Sequence, residues 1–579
     1  MSNLGSIRVP TSGSPTSKLW VVGESPGQSE EQALKPFVGE SGTLLLDTLA
    51  QYGIRRESIY MTNLCQFRPK DNLFEHCLGT QQLTDGQAEI YNAIVTYSPN
   101  LILALGARAV HFLTNRHGGI LSLRGALLAC KHETTVKVFC SIHPSYVLRN
   151  SDTFPIFAFD IGRAVDQSKS KVFPVTRRDY HILHSHADAI DAQQEILKSD
   201  LIAVDIETTR KEKDIICVGI ATSPNKAFVF PWNPTNEHLI KEILEKESIA
   251  KLYHYGVGFD IERLFLAGIN NPGTIHDTFV LANALMPGFP RALAFLQSIF
   301  TFEPPYKDEG RDALPTDSKA WGVKSDRDSI YIYNAKDCVV LYEIFLAMMA
   351  EISEEDKETY LFDMTDQIEV AQAIGRNGLP IDTQRRSFLA AVYAYKIAFA
   401  NTLLSTIIGK KINVNSHVTM KWLFYDHLQL PVQKHYKTKK PTTNDDAIVY
   451  LLEYCASKVE SYRTEAKKTE WRFKLEVVKS IRDIREHRKL ISAYLINDLY
   501  LPNLMRSIYL AAGTKTGRYS AGKYIDDTGF GPQTLSRGKI DIPNHLIGKS
   551  PEEIMGMIDV KAIILDVQSA FSEDEPSDT

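Results

Sequence analysis

LIAVDIETT, residues 201–209, indicates the fold of the middle part of this 579-residue chain. Its apolar residues predict a buried β-strand, and DIICVGIATS (214–223) and KAFVFPW (226–232) predict two more strands in a meander. Asp205 and Glu207 are two residues apart, so their carboxylates lie on one face of the strand. Two acids on so apolar a strand are costly unless neutralised, and their oxygens suit Mg²⁺ or Mn²⁺.

Further carboxylates follow at positions that suit the same site. Asp260 lies in YHYGVGFDIERL (253–264), where a strand passes into a helix, and Asp277 lies in TIHDTFVLANAL (274–285). Asp337 lies in the helical pattern YIYNAKDCVVLYEIF (331–345), and Tyr333 shares a helix face with it because four residues separate them. A phenol beside a metal-bound carboxylate is placed to orient an attacking water.

The order of these motifs, DxE on a strand, then FD, then YxxxD on a helix, resembles the tyrosine-containing branch of the DEDD exonucleases. The resemblance implies an RNase H-like α/β fold, removal of 3′-terminal nucleotides and two metal ions flanking the scissile phosphate. It implies that Asp205 bridges the two metals, that Glu207 and Asp337 complete the shells, and that Asp260 holds the second metal. Tyr333 would position the water.

One departure from that family lies just before the FD motif. The family often has an asparagine in this stretch, whereas this chain has Gly256-Val257-Gly258. The sequence therefore leaves two alternatives open, an active exonuclease and an inactive exonuclease-like scaffold.

Four short strings mark the first part of the chain, each at or just after a predicted strand: GESPG (23–27), PFVGESGTLL (36–45), TNLCQFRP (62–69) and HPSYVLR (143–149). Strands at LWVVG (19–23) and LILALG (101–106) alternate with helical patterns, which predicts an α/β sheet with its ligand crevice at the strand ends. Together the strings resemble the uracil-DNA glycosylase superfamily, and within it family 4.

That resemblance assigns roles to individual side chains around an extruded base. Glu24 would place or activate a water, and Phe37 would stack on the base. Asn63 would bind the Watson–Crick edge of the base, and His143 would stabilise the leaving base as an anion. Arg149 would contact a phosphate.

Family 4 glycosylases hold an iron–sulfur cluster through four cysteines, one of them just before the Arg-Pro pair. This chain has Phe67 at that position and lacks an N-terminal CxxC, so we predict no iron–sulfur cluster. The alternative to base excision is a module that binds DNA or a damaged base without cutting it.

The last part of the chain is mostly helical in pattern. Its ordered strings, ending in GTKTGRYSA (513–521) and GPQTLSR (531–537), resemble the thumb region of family A DNA polymerases. In that family the Arg and Thr of the TGR string contact the primer backbone, which implies DNA-binding roles for Thr516 and Arg518. Palm and fingers motifs are not recognised, and Asp559 is the one candidate for the first palm motif.

These patterns predict a multidomain protein with the following divisions: an α/β glycosylase-like domain at 1–165, an α/β RNase H-like exonuclease domain at 179–352, a mainly α partial polymerase thumb at 353–540 and a divergent acidic tail at 541–579. The tail ends in SEDEPSDT, whose composition is typical of disorder. The chain would be the N-terminal part of a polymerase that is split or interrupted near residue 538, either by an intervening element in the gene or because palm and fingers belong to a second subunit.

The bulk composition restricts partners and compartment. The net charge of −5 excludes a globally basic nucleic-acid binder, although KHYKTKK (434–440) is locally basic. No apolar stretch is long enough to predict a membrane span, and the first residues contain no secretory h-region. Seven dispersed cysteines indicate reduced thiols, so we predict a cytoplasmic protein, in the host cytoplasm if it is viral.

The expected function is that of a DNA replication protein with proofreading exonuclease activity, in the fused order of some bacterial-virus polymerases. Its partners would be primer-template DNA, single-stranded 3′ ends and the second polymerase subunit, and its cofactors two Mg²⁺ or Mn²⁺ ions. Two alternatives stay open, a stand-alone base-excision repair enzyme and a non-catalytic DNA-binding subunit of a split polymerase.

Overall fold

The computed structural model describes residues 4–174, 176–307, 314–315, 327–436, 438–496, 503–514, 516–532 and 542–557. The chain divides into two compact units, one comprising Met1–Ile368 with Thr514–Arg518, the other Glu369–Gly513 with Tyr519–Thr579. The first two predicted domains therefore share one unit. The boundary proposed at residue 353 stays a sequence-based division.

The first part of unit 1 contains a five-stranded sheet in the order β3-β2-β5-β7-β6 and a separate antiparallel pair, β1 with β4. In the sheet, β3, β2, β5 and β7 are parallel, and β6 is an antiparallel edge strand. The strands are β1 Leu4–Arg8, β2 Leu19–Gly23, β3 Tyr60–Asn63, β4 Phe67–Pro69, β5 Leu101–Leu105, β6 Leu127–Ala129 and β7 Lys137–Ser141.

Helices cover both faces of this sheet, as the sequence predicts for an α/β domain. Because side chains alternate along a strand, Trp20 and Val22 of β2 enter one core while Leu19 and Val21 enter the other. The helices are α1 Gln28–Ala33, α2 Glu40–Gln51, α3 Gln81–Tyr97, α4 Ala107–Thr114, α5 Ile120–Leu123, α6 Pro144–Arg149 and α7 Phe154–Ser168.

The second part of unit 1 contains a six-stranded mixed sheet in the order β13-β12-β9-β10-β11-β8. The predicted meander is confirmed, since β9, β10 and β11 pair antiparallel in sequence order. The strands are β8 Asp179–Ile182, β9 Leu201–Thr208, β10 Ile215–Ser223, β11 Lys226–Pro231, β12 Ala250–Tyr253 and β13 Ile275–Asp277. The helices are α8 His186–Ile196, α9 Pro234–Leu244, α10 Asp260–Leu266, α11 Thr278–Leu285, α12 Leu293–Phe300, α13 Arg327–Glu351 and α14 Glu354–Phe362.

A buried charged network joins the two parts of unit 1. Arg124 and Asp160 form an ion pair with side chains that are 4% and 0% exposed, and Arg124 also donates a 2.7 Å hydrogen bond to the Ser298 hydroxyl. Arg163 donates 2.6 Å hydrogen bonds to the carbonyls of Ser298 and Thr301. Breaking one partner of such a network leaves a buried charge uncompensated, so these contacts hold the two sheets in one unit.

Unit 2 is mainly helical, with two short two-stranded sheets, β14 with β15 and β16 with β17. The helix Thr383–Ile408 is long and apolar enough to cross a membrane by length and composition alone, and in this fold Ile397 and Leu404 on it are core residues. The elements are α15 Ile368–Asn377, β14 Leu379–Pro380, α16 Thr383–Ile408, α17 His417–Lys421, α18 Asp445–Ser461, α19 Glu465–Leu490, β15 Leu504–Met505, β16 Ile508–Leu510, β17 Ser520–Gly522 and α20 Pro551–Gly556.

The first part of the predicted acidic tail is folded. Leu546 and Ile554, the latter on α20, are fully buried in a small cluster with Ala391 and Val392 of α16. Asp559, the ending SEDEPSDT and residues 533–537 of the GPQTLSR string lie outside the described residues.

Candidate metal centre and base-binding pocket

The acid pair lies on β9, which has a strand on each side in the mixed sheet. As the period of two requires, Asp205 and Glu207 project from the same face, and Glu207 is buried whereas Asp205 is half-buried. Helix α13 packs across this face. It can approach closely because Gly219 of β10, the register partner of Asp205, has no side chain, and a Cβ there would lie 2.7 Å from the sulfur of Cys338 on α13.

The close approach of α13 brings Asp337 to the acid pair. Carboxylate oxygens of Asp205, Glu207 and Asp337 all lie within 4.8 Å of one another. The fourth predicted ligand, Asp260, is the first residue of α10 and is not a member of this three-carboxylate group. Its Oδ1 accepts a 3.1 Å hydrogen bond from the backbone N–H of Ile206, the residue between the two strand acids.

We call Asp205, Glu207 and Asp337, with the adjacent Asp260, the acid group. Its electrostatics favour a bound cation. Burial and, to a smaller extent, the nearby Asp337 raise the pKa of Glu207 to about 8. Burial and the neighbouring acids hold the pKa of Asp205 well above its usual range. Burial also raises the pKa of Asp260 to about 7. Hard oxygen donors that repel one another at this spacing fit a divalent cation such as Mg²⁺ or Mn²⁺.

Three neighbours of Asp337 complete the surroundings of the acids. The Asp337 carboxylate accepts a 2.7 Å hydrogen bond from the Tyr306 hydroxyl and 2.6 and 2.7 Å bonds from the Lys307 ammonium. Lys307 also lies 3.2 Å from the hydroxyl oxygen of Tyr333. Burial and the adjacent carboxylates raise the pKa of Tyr333, so its phenol keeps its proton.

Sequence reasoning missed Tyr306, Lys307 and Asn334. The amide of Asn334 donates a 2.7 Å hydrogen bond to Oδ2 of Asp205 and thereby orients that carboxylate. Its position three residues before Asp337, on the same helix face, is a signal that could have identified it. Tyr306 and Lys307 carry no such signal, because they precede α13 in a segment without regular periodicity.

The predicted base-binding residues lie at the carboxyl ends of parallel strands. Glu24 follows β2, Asn63 ends β3, and His143 follows β7 by two residues. A Cβ on Gly23 would lie 2.5 Å from Oδ1 of Asn63 and 2.9 Å from Cζ of Phe37, so both side chains converge on this glycine. These residues therefore lie at the edge of the sheet where the α/β topology predicts a ligand crevice.

His143 is the N-cap of α6, and its protonation state follows from its contacts. Its Nδ1 accepts a hydrogen bond from the Ser145 backbone N–H, at 3.2 Å, so the neutral ring carries its proton on Nε2. Burial and the cation of Arg149 lower the pKa of His143 to about 4. Arg149 itself ends α6 and is exposed. At neutral pH His143 is therefore an uncharged hydrogen-bond donor.

Glu24 and Phe37 are positioned by residues that the sequence did not single out. Burial raises the pKa of Glu24, whose carboxylate accepts a 3.3 Å hydrogen bond from the Arg108 backbone N–H. Phe37 has a φ of 55°, in the left-handed region that is unfavourable for a bulky residue. Arg56 donates a 2.9 Å hydrogen bond to the Phe37 carbonyl, and Glu30 accepts from the Phe37 N–H.

The cysteines near Phe67 do not assemble a four-thiol site among the residues that the structure describes. Cys65 and Cys77 are both buried, and a hydrogen bond from the Cys77 thiol lowers the pKa of Cys65 to about 7. The observed donor set of two thiols does not fit a [4Fe–4S] cluster, which takes four. The absence of a cluster stays a prediction.

The predicted primer contacts lie in a tight turn that belongs to unit 1. The Arg518 N–H donates a 3.0 Å hydrogen bond to the Thr514 hydroxyl, and the Gly517 N–H donates one of 3.2 Å to the Thr514 carbonyl. Thr516 lies within the turn. A Cβ on Gly517 would lie 3.9 Å from the amide nitrogen of Asn283 on α11, an ordinary contact distance.

Comparisons with known proteins point first to the N-terminal part. Residues 10–160 match the model of the Uracil DNA glycosylase superfamily. A Type-4 uracil-DNA glycosylase of Thermotoga maritima is 35% identical over 142 residues, covering 24% of this chain and 70% of that protein. The sequence-based resemblance of this part is confirmed.

Similarity to polymerases is more distant. DNA polymerase I of Caldicellulosiruptor bescii is 23% identical over 301 residues, or 50% of this chain, which spans only 29% of that polymerase. A structure described as the POL domain of Pol1 from M. smegmatis in complex with DNA primer-template and dNTP aligns with a TM-score of 0.43 and 16% identity, covering 62% of this chain and 57% of that one. A structural likeness at that level decides neither fold nor function.

Proposed function

The chain belongs, through residues 10–160, to the uracil-DNA glycosylase superfamily, and from this premise we propose that it is a DNA-processing enzyme with two chemically distinct sites. One is a metal-dependent 3′–5′ exonuclease site on β9 and α13. The other is a base-recognition pocket at the ends of β2, β3 and β7.

The convergence of three buried or half-buried carboxylates carries the exonuclease proposal. Asp337 is distant in sequence from the neighbouring acids Asp205 and Glu207, and the fold brings carboxylate oxygens of all three within 4.8 Å of one another. These three residues would hold a divalent cation, with Asp260 adjacent to them. When bound, such a cation polarises a phosphoryl oxygen and lowers the pKa of bound water.

The chain's own residues would prepare the reaction around that cation. Asn334 fixes the orientation of Asp205 through its 2.7 Å hydrogen bond. Tyr333 keeps its phenolic proton and donates it in a hydrogen bond to the attacking water or to a phosphate oxygen. Lys307 supplies a positive charge next to Asp337, which offsets the repulsion between the acids and a phosphate backbone.

The base pocket supports uracil excision as a second activity. Asn63 would bind the Watson–Crick edge of an extruded base while Phe37 stacks on its face. The neutral His143 would donate its Nε2 hydrogen to the leaving base, and Glu24 would place the water. The observation in favour is that Phe37 and Asn63 converge on Gly23 within a domain whose superfamily is shown.

We further propose that the exonuclease edits primer ends made by a family A DNA polymerase. The similarity to DNA polymerase I over half of this chain supports the proposal, as does the turn that carries Thr516 and Arg518. A non-catalytic DNA-binding subunit is the competing interpretation, and activity assays separate the two.

The exonuclease proposal is tested with a 3′-labelled single-stranded oligonucleotide in Mg²⁺ or Mn²⁺. Wild-type protein should release mononucleotides, Asp205→Ala should not, and Asp191→Ala, which removes an exposed acid on α8, should match the wild type. Tight binding without release would favour the non-catalytic subunit.

The glycosylase proposal is tested with a uracil-containing duplex scored for abasic sites in EDTA. Wild-type protein should form abasic sites, and Glu24→Gln and His143→Ala should each reduce the rate. Binding of the uracil duplex without formation of abasic sites would show recognition without excision.

A further inference from the structure

The structure explains why glycines occupy positions 256 and 258, in the stretch that departs from the exonuclease family. It forms a 3₁₀ turn between β12 and α10. A Cβ on Gly258 would lie 2.5 Å from Cε1 of Tyr255, and one on Gly256 would lie 2.6 Å from Cγ of Tyr253. The two glycines are therefore required because tyrosine rings occupy the space that side chains would fill.

The backbone of Tyr255 is held in an unfavourable conformation. Its φ is 61°, in the left-handed region. The buried Asp277 carboxylate accepts a 2.9 Å hydrogen bond from the Tyr255 N–H and a 2.8 Å bond from the Phe279 N–H. Unfavourable backbone geometry that is held by a buried acceptor is typical of functional positions, because it fixes one orientation of a side chain.

The Tyr255 ring is the more exposed member of an aromatic pair with Phe279. It retains 36% of its exposure and meets Phe279 edge-on, with ring centres 4.9 Å apart. The guanidinium of Arg291 lies 3.9 Å from the centre of the Phe279 ring. We call Tyr255, Phe279 and Arg291 the aromatic platform. An exposed ring supported by a second ring and a cation matches the chemistry of a nucleobase-stacking surface.

A short stretch of chain connects the platform with the acid group. Asp260, which bonds to the N–H between Asp205 and Glu207, begins α10 directly after the turn that follows Tyr255. Arg291 donates a 3.4 Å hydrogen bond to Asn283, which lies next to Gly517 of the TGR turn. The platform is thus connected to the proposed metal ligands through the turn at 256–258 and to the proposed primer contacts through Asn283.

We propose that the aromatic platform is a base-stacking site for the unpaired 3′ end of a DNA strand entering the acid group. The proposal rests on the exonuclease function proposed above and names the subsite that takes a terminal base. A cluster of acids repels a phosphate backbone, so the strand needs attraction that does not depend on the phosphates. Stacking on Tyr255 supplies it without base preference, as removal of mismatched ends of any sequence requires.

The test measures binding of two fluorescein-labelled oligothymidines by fluorescence anisotropy in Mg²⁺. Both carry 3′-terminal phosphorothioate linkages that resist cleavage, and one has abasic residues in its last three positions. Tyr255→Ala should weaken binding of the complete oligonucleotide about tenfold, the loss expected for one stacked base, and leave the Kd of the abasic one unchanged. Tyr255→Phe, which keeps the ring, should bind both like the wild type.

Tyr91→Ala is the matched control, because Tyr91 is 45% exposed on α3 and meets His132 edge-on at 5.2 Å. It should bind both oligonucleotides like the wild type. Equal losses for both oligonucleotides in Tyr255→Ala would mean that the ring acts only through the fold, and no loss would mean that no base stacks there. Either result overturns the proposal.

The same proteins separate this proposal from the exonuclease proposal. If wild-type protein releases nucleotides from a cleavable strand while Tyr255→Ala binds both oligonucleotides normally, the exonuclease stands and the stacking site fails. If no nucleotides are released but the base-dependent loss is found, the stacking site stands and the exonuclease fails. An oligoribonucleotide bound more tightly than DNA would overturn the assignment to DNA ends.

Discussion

The base pocket and the acid group solve the same problem, the burial of polar side chains, in opposite ways. In the pocket, His143 is uncharged and bonded to the N-terminus of α6, and Glu24 accepts a backbone N–H. In the acid group, Asp205 and Glu207 repel each other, and the chain supplies Lys307 as a cation beside Asp337. In the pocket, hydrogen bonds from the protein compensate the buried polar side chains. In the acid group, the negative charge of the carboxylates exceeds the positive charge that the protein supplies, which favours binding of a cation.

Removing a carboxylate from the acid group is expected to have the largest effect, and to lower the exonuclease activity without lowering the glycosylase activity. Asp337→Asn should lower mononucleotide release about 10³-fold, more than the ~10- to 100-fold cost of losing a residue that only orients a ligand, because a proposed ligand is lost. Uracil excision should stay within about twofold of wild type, and steady-state assays of both activities check this. A parallel loss of both activities would break the comparison.

The pH dependence of stability tests the neutral state of His143. Its folded pKa of about 4 lies below the unfolded value of 6.5, so it contributes stability that is present above pH 6.5 and lost as the pH falls through 4. Because the ring keeps some solvent contact, we expect about 2 kcal/mol, less than the full shift implies. Urea unfolding of the wild type and His143→Asn between pH 4 and 7 measures it. Parallel pH curves for the two proteins would show that His143 is not buried as a neutral ring.

The counter-charge in the acid group is tested by Lys307→Gln. In EDTA the substitution should lower the free energy of unfolding by about 2 kcal/mol, because a nearly buried Asp337 loses its charged partner while Lys307 itself is partly exposed. In Mg²⁺ the difference should shrink, since a bound cation takes over the neutralisation. Thermal melts in both conditions measure it, with Lys169→Gln, an exposed pair partner of Asp166, as control.

The smallest effect is expected for Gly23→Ala in the base pocket, where the loss of uracil binding should exceed the loss of stability. Gly23→Ala places a methyl group 2.5 Å from Oδ1 of Asn63 and 2.9 Å from Cζ of Phe37, so both must shift. We expect about tenfold weaker binding of a uracil-containing strand, or ~1.4 kcal/mol. The loss of stability should be smaller, because both neighbours are side-chain ends that can rotate away. Binding titrations and melts of one preparation check it. Unchanged uracil binding would place the base elsewhere.

The sequence alone predicted which side chains lie together wherever their spacing along one strand or helix places them on the same face. The spacing of Asp205 and Glu207 on an apolar strand fixes their common face, and the spacing of Tyr333 and Asp337 does the same on a helix. The ordered strings around Glu24, Phe37, Asn63 and His143 identified a superfamily that the comparisons confirm.

Only the tertiary structure decided what lies across from these residues. Lys307, Tyr306 and Asn334 contact the acids because α13 packs over β9 and residues 306 and 307 lie against Asp337, and no periodicity links residue 307 to residue 205. The glycines at 256 and 258 look in the sequence like the loss of a substrate contact. In the fold they make room for Tyr253 and Tyr255. Patterns along a strand or helix are set by backbone geometry, whereas contacts between elements depend on which surfaces pack together, and a single sequence does not encode that locally.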